Sequence, residues 1–155
     1  MKPMIFLAAD HAGFEMKEYV KKYLKTNGYK VEDCGAYKYD SEDDYPGFML
    51  KAAKKVASSN GSKAIIFGGS GQGEAIVANK AKGIRAAVYN CNNPEIVKLS
   101  RAHNDANILS IGARFIAKEH ALKAVKLWLA TNFSNGPRHK RRLKQIGELE
   151  KKLCK

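Results

Sequence analysis

At 155 residues and 45% hydrophobic content, the chain has material for one compact domain with a sizeable core and too little for two. Its early apolar run, Met4 to Ala9, stops at Asp10-His11. That is short of the roughly 7–15 apolar residues of a secretory leader and the roughly 20 of a membrane span, so neither is expected. The formal charge of +13 invites a polyanionic partner, but the excess is uneven: residues 138–155 carry eight basic and two acidic side chains, whereas Asp40 to Asp44 is acidic.

Met4–Ala9 reads as a buried strand, followed by a helix from about Ala12 to Asn27 with Met16, Val20, Tyr23 and Leu24 on one face. Gly28 is a stop signal, and Lys30–Cys34 suits a short second strand. Tyr45, Phe48, Met49, Ala52, Ala53 and Val56 recur at helical spacing. Ala64–Phe67 is a third strand, and the glycine-rich stretch Gly68–Gly73 opens a helix through Lys80. Ile84–Tyr89 and Asn107–Ile111 are further strands with Pro94–Arg101 helical between them, and Lys118–Ala130 is another helix. Pro137 begins a last helix, about 137–153, striped by Leu143, Ile146, Leu149 and Leu153. The alternation predicts an α/β fold: a Rossmann-like three-layer sandwich around a five-stranded parallel sheet, spanning 1–155 as a single domain. Ligands in such folds sit at the carboxyl ends of strands, which directs attention to Asp10-His11 and to Gly68–Glu74.

Glycines crowded at a helix start expose backbone N–H groups to an anion or a developing oxyanion. The dinucleotide pattern GxGxxG fails because its last glycine falls on Glu74. The phosphate-loop pattern GxxxxGK[ST] fails because Glu74 and Ala75 replace its lysine and hydroxyl residue. A carboxylate beside N–H donors has another use: it removes a proton next to a carbonyl while the donors stabilise the enediolate. The same carboxylate also suits simple compensation of the helix dipole. Burial raises the pKa of such a group and the N–H donors lower it, an opposition that the residues alone leave open. His11 and His103 fall at expected loop mouths, and His120 sits mid-helix without a polar cluster. Arg138 and Arg142 share a helix face suited to phosphate, as is Arg114 after the last strand; Lys140, Arg141 and Lys144 read as a solvated face.

Taken together, Ala9-Asp10-His11-Ala12-Gly13, Asp44-Tyr45-Pro46, Gly69-Ser70-Gly71-Gln72-Gly73-Glu74, Ala78-Asn79-Lys80, Gly83-Ile84-Arg85-Ala86, His103-Asn104-Asp105 and Arg138-His139 with Arg142 make the chain resemble the B-type ribose-5-phosphate isomerases. Members interconvert aldose and ketose phosphates without metal or cofactor. One branch carries a cysteine where Gly68 stands here, and the other uses a glutamate in the following helix, so this chain is similar to the glutamate branch. The resemblance implies that His103 opens the sugar ring, Glu74 shuttles a proton between C2 and C1, and Ser70 with Asn104 and the backbone of Gly69, Gly71, Gln72 and Gly73 holds the enediolate oxygens. It further implies that Asp10 and His11 bind the sugar, that Arg114, Arg138 and Arg142 bind the phosphate, and that a homodimer, in some members paired into a tetramer, shares each active site between subunits.

Ribose 5-phosphate is the leading substrate, with six-carbon allose or galactose 6-phosphate as alternatives. A basic nucleic-acid-binding module is disfavoured, since no aromatic residues interleave with the basic cluster. A catalytically dead sugar-phosphate sensor is disfavoured because Glu74 and His103 are both present. Cys34, Cys91 and Cys154, an odd number with no C-x-x-C pair, point away from a disulfide framework or a zinc site. They fit a reducing compartment, the cytoplasm, and read as packing or surface residues.

Overall fold

The computed structural model describes residues 2–153, so Cys154 lies outside the described residues. Five strands, β1 (Ile5–Ala9), β2 (Val31–Asp33), β3 (Lys63–Gly68), β4 (Ala86–Tyr89) and β5 (Ile108–Gly112), form one parallel sheet in the order β2-β1-β3-β5-β4. The helices are α1 (Phe14–Thr26), α2 (Tyr45–Ser58), α3 (Gln72–Ala78), α4 (Pro94–Ala102), α5 (Lys118–Ala130) and α6 (Pro137–Leu153).

Strand alternation divides the core into two layers. Ile5, Leu7, Ile65 and Phe67 point into one, against Met16, Val20 and Leu24 of α1, Val97 of α4, and Val125 and Trp128 of α5. Phe6, Ala8, Ala64 and Ile66 point into the other, against Met49, Ala52, Ala53 and Val56 of α2 and Ala78 of α3. The predicted three-layer sandwich is therefore present.

Because β1 is flanked by β2 and β3, the chain leaves β1 toward α1 on one face and leaves β3 toward α3 on the other. The loops after β1 and β3 diverge, opening a crevice between them, as expected where strand order reverses. Gly13 lets the first loop come close: a Cβ there would lie 2.5 Å from the backbone of Phe67.

Element ends differ from the periodicity where side chains take over backbone bonding. The first helix starts at Phe14, not Ala12, because Asp10 closes a turn by accepting the Gly13 N–H at 3.1 Å. The third ends at Ala78, not Lys80, and the Asn79 amide then pairs with both backbone groups of Ala86 (2.8 and 3.1 Å). Strand β4 begins at Ala86 rather than Ile84, after Gly83 turns with φ +79° and the Asn107 side chain receives the Arg85 N–H at 2.8 Å.

The last helix begins at Pro137 as expected, but its stripe is not part of either core layer. No α6 residue is buried, and Ile146, Leu149 and Leu153 are 48%, 56% and 81% exposed. It is tied at its start by the His103–His139 ring stack and near its end by Glu150, which accepts the Gly83 N–H at 2.7 Å.

Candidate active site

The loop after β3 carries the candidate catalytic residues Ser70 and, just beyond it, Glu74. Its shape is set from β4 and β5: Asn90 donates to the Ser70 carbonyl at 3.0 Å and Ser110 to the Gly71 carbonyl at 2.7 Å. The N–H groups of Ala113 and Arg114 hold the carbonyls of Gly68 and Gly69 at 2.8 and 3.0 Å. With its carbonyls consumed this way, the loop turns at Gly71 in the left-handed region (φ +79°) and enters α3. Ser70 Oγ accepts the Gln72 N–H at 3.2 Å.

Glu74, in the first turn of α3, points back under this loop and is only 4% exposed. A Cβ on residue 68 would lie 1.9 Å from Glu74 Oε1, so the carboxylate occupies the space that a side chain at Gly68 would need. Glu74 Oε2 is buried without a hydrogen-bond partner. Burial raises the pKa of Glu74, helped by the nearby Asp10 charge; the N–H groups of Glu74 itself and of Gly71 act in the opposite sense without prevailing. A carboxylate with a raised pKa and a free oxygen is a better proton acceptor from carbon than a solvated one.

This loop, the β1–α1 loop and α2 enclose a cleft of about 510 Å³ lined by Asp10, His11, Ala12, Tyr45, Gly69, Ser70, Gly73, Glu74, Arg114 and Phe115. Asp10 is buried, and Arg114 extends over Gly69 without an acidic partner among the described residues. Gly71 and Gln72 belong to the loop but lie outside the cleft wall, Gly71 shaping it through its turn. Asp10, His11 and Asp43 each offer a ligand atom within 4.8 Å of the others. These donors are engaged locally: Asp43 Oδ1 lies 2.8 Å from His11 Nδ1 and 2.9 Å from the His11 backbone nitrogen. Asp43 and Phe115 carry no motif that sequence spacing could read. Asp43 lies inside the acidic run and was legible only as charge.

The other predicted residues gather elsewhere. Helix α4 runs back from the carboxyl end of β4 to the start of β5, so His103 and Asn104, just past its end, lie at the amino end of the sheet, opposite the cleft. His11 and His103, each expected at a loop mouth, therefore lie at opposite ends of the sheet within one chain. His103 instead stacks on His139 of α6, with ring centroids 4.1 Å apart, and Ser134 Oγ meets His139 Nδ1 at 2.8 Å. Desolvation, then His103, Arg142 and Arg138, hold the pKa of His139 down. Arg138, Arg142, His103 and Asn104 are all solvent-exposed. The structure therefore presents two groups: a cleft with a buried base, and a cationic cluster with a second histidine.

Residues 5–146 match the Ribose/Galactose Isomerase family model. Ribose-5-phosphate isomerase B of Mycobacterium tuberculosis is 40% identical over 147 residues, covering 95% of this chain and 90% of its own. The solved ribose-5-phosphate isomerase B of Clostridium thermocellum superposes with a TM-score of 0.90 at 42% identity, covering 96% and 98% of the two chains. That of Mycoplasma genitalium, crystallised with bound ribulose 5-phosphate, superposes with a TM-score of 0.91 at 37% identity over 97% and 98%. With its glycine loop, buried glutamate and sheet order all in place, the chain belongs to the ribose/galactose isomerase family.

Proposed function

We propose that the chain is a ribose-5-phosphate isomerase that interconverts ribose 5-phosphate and ribulose 5-phosphate through an enediolate. The observation that carries this reading is Glu74: a buried carboxylate with an unpartnered oxygen, set beneath a loop of N–H groups at a sugar-sized cleft. Glu74 takes the proton from C2, so that the C2–H electron pair forms the C1–C2 double bond and the carbonyl pair moves onto O1; after the O2 hydroxyl proton has passed to O1, the carbonyl re-forms at C2 as Glu74 returns its proton to C1. Ser70 and the loop backbone hold the enediolate oxygens, and Asp10 and His11 hold sugar hydroxyls. The bound ribulose 5-phosphate of the Mycoplasma genitalium relative supports the five-carbon substrate.

The working unit in this reading is a homodimer. His103 of the partner subunit donates the ring-opening proton, the partner's Asn104 reaches the enediolate, and the partner's Arg138 and the partner's Arg142 join Arg114 on the phosphate. Two features support it. The cationic cluster lies at the opposite end of the sheet from Glu74 in the same chain, and the apolar stripe of α6 is unburied. The reading takes the whole chain as one catalytic domain. It places the enzyme in the cytoplasm, with Cys34 and Cys91 as free thiols, the Cys34 thiol pushed up to about 11 by burial. No described helix is long and apolar enough to cross a membrane.

The test is turnover of ribose 5-phosphate by wild type and by Glu74→Gln, alongside allose and galactose 6-phosphates. Loss of a general base removes about 10²–10⁴ in kcat, and that loss is expected with KM little changed. Higher kcat/KM on a six-carbon phosphate would overturn the substrate, and an unimpaired variant would overturn the base.

A further inference from the structure

The contact between His11 and Asp43 joins two loops that no element of regular structure connects. His11 lies on the β1–α1 loop and Asp43 on the loop entering α2. A single oxygen, Asp43 Oδ1, bridges the His11 backbone N–H at 2.9 Å and ring Nδ1 at 2.8 Å. A carboxylate accepts and does not donate, so Nδ1 carries the hydrogen in this arrangement. The histidine tautomer is thereby chosen, and Nε2 is left as the ring nitrogen available to a ligand.

The Asp43 side chain is only 9% exposed, and its second oxygen is buried without a partner. Burying a carboxylate with one oxygen unsatisfied is costly unless a cation lies against it. His11 is the partner on hand, and the pair is more stable with the ring protonated.

We propose that Asp43 is a positioning residue for the isomerisation, fixing the His11 ring through Nδ1–H so that Nε2 is the ring nitrogen held ready for the substrate. The charged and titratable groups around His11 agree with this. The hydrogen bond to Asp43 chiefly raises the pKa of His11 and the charge of Asp10 adds to it, while desolvation and Arg114 oppose. Tyr39 meets the ring edge-on, and Glu15, paired with Lys118, lines the adjoining cavity. When the ring is protonated, it and Arg114 together present two cations to an anionic substrate. The inference rests on the isomerase reading, in which His11 contacts substrate.

The test is a double-mutant cycle with Asp43→Asn and His11→Gln, read in steady-state kinetics with ribose 5-phosphate across pH. The asparagine side chain retains an acceptor for the backbone N–H but removes the charge. Asp43→Asn is expected to raise KM about tenfold with kcat within about threefold, in line with groups that orient a binding residue. The alkaline limb of kcat/KM should move to lower pH, because a less basic His11 loses its proton sooner. In the His11→Gln background the same substitution should change neither. Equal loss in both backgrounds would overturn the proposal and make Asp43 a merely structural anchor. Nitrogen-15 NMR of His11 in the substrate-free wild type decides independently of catalysis and of whether the variant folds. The Nδ1–H tautomer with a pKa above the ordinary histidine value supports the proposal. The Nε2–H tautomer, or an ordinary or lower pKa, overturns it. Absence of turnover in the wild type would overturn the isomerase reading instead, leaving the NMR result to decide the pairing.

Discussion

At the carboxyl ends of β1 and β3, the candidate machinery is built inward: Glu74 is 4% exposed, and its loop is held through the carbonyls of Gly68, Gly69, Ser70 and Gly71. At the amino end of the sheet it is built outward. There His103, Asn104, Arg138 and Arg142 stand in solvent on the end of α4 and the start of α6, with a ring stack and one serine hydroxyl holding the histidines. A proton-transfer base needs desolvation and a fixed geometry, which one chain supplies from its own core. A phosphate clamp needs long cationic side chains that stay hydrated until the ligand arrives, so it can be carried at a surface and completed by a second copy. In the proposed dimer the cleft is half of an active site, and the exposed cluster is the half donated to another cleft.

The sharpest way to break that comparison is complementation. Glu74→Gln and His103→Asn should each lose about 10²–10⁴ in kcat on the cyclic aldose, since each removes a proton-transfer group. If the halves meet across a two-fold interface, a mixed dimer of the two variants holds one intact site, built from Glu74 of one chain and His103 of the other. Random reassortment at equal concentrations should then restore about a quarter of wild-type activity. No recovery after confirmed subunit exchange, or a monomeric mass at full activity, would show that each chain works alone.

A smaller effect separates the clamp from the rest of the basic helix. Arg138→Ala or Arg142→Ala removes a charge-assisted hydrogen bond worth about 1.5–3 kcal/mol, so KM should rise about tenfold to a hundredfold each, with kcat less affected. Arg141→Ala, one residue away on the solvated face, should leave both constants unchanged. If all three variants weaken binding equally, the helix attracts phosphate by diffuse charge and has no clamp.

The parts of this arrangement legible in the sequence are those written in local spacing. Strand and helix alternation marked out the layers, and four glycines before Glu74 marked the loop, because a close backbone approach and a left-handed turn at Gly71 demand them. The role of His103 was legible only through resemblance, and its distance from Glu74 was not legible at all. It depends on α4 running antiparallel to the strands and on the order β5-β4, a tertiary fact. Asp43 escaped notice because a carboxylate among Asp40, Glu42 and Asp44 looks like loop charge until its neighbour across the crevice is known. The stripe of α6 was legible as amphipathic, but periodicity cannot tell a face that meets its own core from one left open.

The smallest predicted effect tests the inward-built half through stability. The pKa of Glu74 is raised above its ordinary value of 4.5, so the folded chain holds this proton more tightly than the unfolded chain does. Between the ordinary value and the raised one the native state binds more protons, and stability must fall as pH rises through that window. Above it the cost of keeping an ionised carboxylate buried is fully present; below about 4.5 it is gone. Glutamine is nearly isosteric and never ionises, so Glu74→Gln should melt higher than wild type at pH 8, with the gain disappearing toward pH 4. Asp33, whose pKa is lowered against its burial by hydrogen bonds from Lys17, Lys21 and Gly35, loses stability on acidification in both proteins and cancels in the difference. If Glu74→Gln melts lower at pH 8 by the same margin as at pH 4, the carboxylate is a structural brace for the loop. If the variant gains at pH 8 and the gain is gone by pH 4, the site keeps its base at the expense of the fold, as expected of a group held for catalysis.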